Sequence, residues 1–137
     1  MKIIVCSILA LFLTGTLLAQ DSTSKADDGQ IFTREEQPAQ FVGGDSAWKR
    51  YLSDNLNTSI PIKNDAPEDT YTVEVQFIVK KDGSIVDVKA DTHWGYGMEE
   101  EAIRLIKNSP NWIPAHQNHR PVNAYTIAQI NFVVGSN

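Results

Sequence analysis

The sequence predicts an α+β domain of two layers, a three-stranded antiparallel sheet with two helices packed on one face. Three observations carry that expectation. From Tyr71 to Lys80, Tyr71, Val73, Val75, Phe77 and Val79 fall on one side, and Thr72, Glu74, Gln76 and Lys80 on the other, interrupted only by Ile78. Lys81-Asp82-Gly83-Ser84 then reads as a hairpin turn, with Asp-Gly supplying positive φ, and Ile85 to Ala90 returns as a second strand. A long run from Val122 to Val134 gives a third strand, and amphipathic stretches on either side of the hairpin give helices for the apolar face that a hairpin cannot bury alone.

The elements follow in chain order. Met1-Lys2 is basic, Ile3 to Ala19 is uncharged, and Leu17-Leu18-Ala19 precedes the polar Gln20-Asp21-Ser22. This pattern predicts a secretory signal peptide over residues 1–19, cut near Ala19. The rival reading is an uncleaved membrane anchor, which the shortness of the stretch and Thr14-Gly15-Thr16 disfavour. Residues 20–40 read as a flexible lead-in with a short strand at Ile31-Phe32-Thr33, and residues 41–137 as the domain itself.

Gly43-Gly44-Asp45 opens a helix that Asp45 or Ser46 caps, with Trp48, Tyr51, Leu52 and Leu56 on one face. Asn57 to Pro61 ends it, and a polar loop follows over 63–70. In the second strand Val86, Val88 and Ala90 alternate. Gly95-Tyr96-Gly97 leads into a second helix, Met98 to Asn108, which places Glu99, Glu100 and Glu101 in its first turn as solvated, dipole-matched carboxylates. Met98, Ala102, Leu105 and Ile106 form its apolar face, and Ser109-Pro110 stops it.

Composition excludes several function classes. A chain of 137 residues, 42% apolar, suits one domain and is too apolar for full disorder. A net charge of −5 argues against a nucleic-acid binder. The one cysteine, Cys6, lies in the predicted signal, so the exported chain has no thiol, disulfide or thiolate ligand. His93, His116 and His119 form only a loose set, and no metal is expected from it. Asp91 with His93 imitates a catalytic pair, but a nucleophile is missing, so neither catalysis nor a cofactor is expected.

One positive feature remains. In the last strand Asn123, Tyr125, Ile127, Gln129 and Asn131 share one face, while Ala124, Thr126, Ala128, Ile130 and Phe132 share the other, buried one. At a sheet edge such a strand offers backbone groups to an incoming peptide strand, or to a second copy of itself in a homodimer. The alternative is an edge that binds nothing.

Residues 31–134 resemble the TonB C-terminal domain. The matching pieces are Ile31-Phe32, Glu36-Gln37-Pro38, and Phe41-Val42-Gly43-Gly44 with Trp48, Tyr51 and Leu52. Val75 to Val79, Lys81 to Val88 and Glu100-Glu101-Ala102 continue the series. Ser109 to Trp112, Pro114-Ala115, Pro121-Val122 and Ile130-Asn131-Phe132 complete it.

The resemblance implies a non-catalytic periplasmic module that grips a segment of an outer-membrane receptor by strand addition beside its own last strand, in service of energy-coupled transport. The mapped contact residues are Asn123, Tyr125, Ile127, Gln129 and Asn131, with Tyr125, Ile127 and Gln129 setting preference. The departures are Val42 in place of a frequent proline, Asn118-His119-Arg120 in place of a frequent glycine turn, and Gln129 in place of a frequent strand proline. The stretch Gln20–Gln40 reaches at most roughly 70 Å, short for a spacer that transmits force. A soluble adaptor or modulator is therefore the first expectation. A miniature anchored transducer and a self-associating or cell-wall-binding domain are the alternatives.

Overall fold

Alternating apolar residues commit the chain to a sheet, and the structure, a computed structural model, describes that sheet and its helices over residues 29–135. The signal-peptide and anchor readings fall outside the described residues. The elements are β1 (Ile31–Phe32), α1 (Gly44–Asn55), α2 (Ser59–Lys63), β2 (Asp69–Val79), β3 (Ile85–Ala90), α3 (Met98–Lys107), β4 (Ala115–Gln117) and β5 (Arg120–Val134).

The architecture is α+β, and β5, β2 and β3 form the expected antiparallel trio, with β2 in the middle. The sheet is nonetheless larger and mixed, which corrects the three-stranded expectation. β1 lies parallel to β5 at Asn123 and Ala124, and β4 pairs antiparallel with β5 over Arg120 to Val122. Strands this short carry no periodicity, and their neighbours hold them. Gln37 exchanges backbone hydrogen bonds with His116, and Gln40 with Ile113, at 2.8–3.2 Å. The Glu36 carboxylate accepts from the Asn118 backbone N–H at 3.1 Å. Of the 20–40 lead-in, the part from Ile31 to Gln40 is thus bonded to β4 and β5 and their turn.

The β2–β3 turn also differs in detail. Lys80 N–H donates to Ser84 O and Gly83 N–H to Lys80 O, both at 2.8 Å, so the loop has three residues and only Gly83 takes positive φ, at 83°. Gly83 is required twice over, because a Cβ there would lie 2.3 Å from the Trp112 carbonyl oxygen. Further along β3, Asp87 and Val88 together oppose Phe77 in a β-bulge, with Asp87 at φ 54°. The bulge shifts the alternation. Ile85, Val88 and Ala90 pack on the core, whereas Val86 is exposed.

The N-cap of α1 is Gly43 in the left-handed region, with no side-chain capping bond, where Asp45 or Ser46 was expected. The stretch after α1 that was read as its end holds the short α2 just ahead of the polar loop, with Pro61 buried. Glu101 is not solvated but 3% exposed. It accepts from Arg104 Nε at 2.7 Å, from Arg104 Nη2 at 2.6 Å and from the Asn57 backbone N–H at 2.8 Å. Those bonds, that to Arg104 foremost, hold its carboxyl below the usual range against the opposing effect of burial.

The core joins Val73, Val75, Phe77 and Val79 of β2 to Ile130 and Phe132 of β5 and to Met98, Ala102, Leu105 and Ile106 of α3. Trp48, Tyr51 and Leu52 of α1 pack against the same cluster, and the Tyr51 hydroxyl donates to Leu105 O at 2.8 Å, tying α1 to α3.

Candidate functional site

In a β-strand a residue's N–H and C=O point to the same side, and successive residues alternate. On β2, Glu74 O accepts from Asp91 N–H at 2.9 Å, and Glu74 N–H donates to Thr92 Oγ1 at 3.3 Å. Even-numbered residues of this part of β2 therefore address the β3 side, and odd-numbered ones address β5. The register pairs Phe77 with Thr126, Val75 with Ala128, Val73 with Ile130 and Tyr71 with Phe132. The backbones of Ile127, Gln129, Asn131 and Val133 consequently face away from β2. On that far side β1 and β4 pair only with Arg120 to Ala124. Beyond them, no strand of the described residues pairs with the outer edge of β5.

The contact residues expected from sequence are placed unequally along this edge. Asn123 lies opposite Ile31 of β1, and its Oδ1 accepts from the Lys81 backbone N–H at 2.9 Å, so its side chain and its edge position are both engaged. Tyr125 stands just past the β1 pairing and is partly exposed. Ile127 is 57% exposed. The Gln129 amide donates to Glu74 Oε1 at 2.9 Å, and Asn131 Oδ1 accepts from Thr72 Oγ1 at 2.8 Å. Those two side chains brace β5 against β2 while their backbones stay on the open edge. Sequence reasoning omitted Val133, 66% exposed, which belongs to the same outward series.

It also missed what lies beside the edge. A cleft of about 390 Å³ is bounded by Ala39, Phe41, Asp45, Trp48 and Trp112 on one side and by Thr126 to Gln129 on the other. The rings of Phe41, Trp48 and Trp112 meet pairwise with centroids 5.2–5.6 Å apart. Gly83 seats Trp112, whose N–H donates to Gly83 O at 2.9 Å. The one available signal was the small size of the inward residues Ala124 and Ala128 in the last strand.

Other chemistry is not assembled. Among the described residues no group of three or more His, Cys, Asp or Glu converges on a common point. Asp91 and His93 are both exposed in the loop that follows β3. No helix among the described residues is long and apolar enough to cross a membrane.

One comparison with known proteins finds a match that covers this region. Residues 70–134, from the start of β2 to the end of β5, match the family model of the Gram-negative bacterial TonB protein C-terminal. No curated protein and no solved structure matches the chain. The open last strand thus lies within the stretch that is similar to the TonB C-terminal family, a family of non-enzymatic protein-interaction modules.

Proposed function

We propose that this chain is an exported periplasmic module that binds a segment of a TonB-dependent outer-membrane receptor by adding it as a strand beside β5, and so takes part in or modulates energy-coupled transport. One observation carries the reading. From Tyr125 to Val134 the last strand contains neither proline nor a charged residue, and the backbones of Ile127, Gln129, Asn131 and Val133 face outward with no strand beside them among the described residues. Such an edge is a template for strand pairing that soluble domains ordinarily suppress. The backbone supplies affinity, and the exposed side chains of Tyr125, Ile127 and Val133 supply preference. Asn123, already opposite β1, marks where the added strand must stop.

The test is capture of cross-linked partners from a bacterial envelope extract by the native chain and by Ile127→Pro. Proline removes the outward N–H at the centre of the open edge. Circular dichroism first establishes that the variant is folded. The expected result is outer-membrane receptors on the native chain and none on the variant. Equal recovery on both, or no receptor on either, contradicts the proposal.

A further inference from the structure

Resting on strand addition at this edge, we propose that the cleft beside it reads one side chain of the docked segment, and that the side chain it selects is basic. In a strand added next to β5, alternate side chains point to the inner face, and the one opposite Ala128 lies over the cleft. Ala128 contributes only a methyl group there, whereas Thr126 and Ile130 flank it with larger side chains. The walls are the rings of Phe41, Trp48 and Trp112.

Charge then chooses the occupant. Asp45, in the first turn of α1, stands at the cleft and makes no hydrogen bond or ion pair with any described residue. No lysine or arginine is among the lining residues, and Gln40 adds a neutral polar residue. An arginine or lysine lays its apolar stem along the indole rings, where the ring faces attract its charge, and carries that charge to Asp45. A glutamate there meets both the carboxylate and the negative ring faces. A phenylalanine fills space and leaves the carboxylate unanswered.

The probes are immobilised heptapeptides of alternating threonine and valine whose central valine is replaced in turn by arginine, lysine, phenylalanine, alanine or glutamate. Retention of the full chain is measured on each. Arginine and lysine are expected to exceed alanine by about ten-fold, with glutamate lowest. Asp45→Asn, at an exposed position, should drop the basic peptides to the level of phenylalanine. Ala128→Phe should abolish the ranking by filling the cleft from within. If phenylalanine outranks arginine on the native chain, or Asp45→Asn leaves the ranking intact, the basic preference is wrong. Equal retention of all five peptides, lost in Ile127→Pro, removes this inference and leaves strand addition standing. Retention of none overturns both.

Discussion

The sheet has two edges, and they are built in opposite ways. β3 closes one of them. Its ladder is broken by a bulge at Asp87, Lys89 follows, and the chain beyond folds back so that Asp91 N–H, Thr92 Oγ1 and Trp94 Nε1 bond β2 directly. A bulge and charged residues are the devices by which domains prevent edge pairing. β5 has none of them between Tyr125 and Val134, and it keeps an unbroken register with β2 over the whole length from Ala124 to Val134. The same fold therefore protects one edge and leaves the other in unbroken register, uncharged and open. The contrast locates function at β5 more firmly than the exposure of any single residue does.

The comparison can be broken at the closed edge first, where the effect is largest. Gly83→Ala puts a Cβ against the Trp112 carbonyl and forces positive φ on an L-residue. Denaturant unfolding should show a loss of about 3 kcal/mol or more, from strain and from displacement of Trp112. Because Trp112 also walls the cleft, discrimination among docked segments should fall as well. A variant of native stability would mean that the hairpin relaxes freely and that Trp112 is seated by other contacts.

A smaller loss is expected in the scaffold that serves neither edge. Glu101→Gln removes a carboxylate paired with Arg104 but keeps an acceptor for Asn57 N–H, and should cost about 2 kcal/mol. Arg104 is partly solvated, which keeps the figure below that for a fully buried pair. The pH dependence sharpens the point. A carboxyl whose folded pKa is depressed contributes its full stabilisation above the unfolded glutamate value, about 4.3, and loses it as pH falls through the folded value. The native chain should therefore lose stability in that acid window, and Glu101→Gln should lose less. Parallel pH profiles for the two chains would show that Glu101 gains no net stabilisation from its partners.

The smallest stability change should accompany the largest functional one. Ile127→Lys gives the open edge the kind of residue that edges use for protection. With Ile127 largely exposed, melting should shift by no more than about 0.5 kcal/mol, while strand addition is lost. Undiminished binding would show that the partner docks elsewhere.

Much of this contrast was legible in the sequence, and part of it was not. The faces of β2 and β5 followed from alternation, because a half-buried strand writes its two environments into neighbouring residues. The hairpin followed from Asp82-Gly83, and the order of pieces from Ile31 to Phe132 pointed to the family. What failed was either long-range or too short to read. β1 is held by Asn123 and Ala124, nearly a hundred residues away, and β4, though only a tight turn from β5, is three residues long and shows no period. The bulge looked like plain alternation of Val86, Val88 and Ala90 until its partner Phe77 was in place. Glu101 read as one of three equivalent glutamates, since its burial depends on Asn57 and on the approach of α2. The cleft needed Phe41, Trp48 and Trp112 to meet in space, although each stood in the recognised pattern.

The central claim is that β5 is paired on one side only from Tyr125 onward, and amide hydrogen exchange measured residue by residue tests it most directly. In the free chain, Ile127, Gln129 and Asn131 should exchange fast while Ala128, Ile130 and Phe132 are strongly protected. Adding a docked peptide should slow the odd-numbered amides and leave the even-numbered ones unchanged. Uniform protection along β5 in the free chain, or odd-numbered amides indifferent to a bound peptide, would contradict the account.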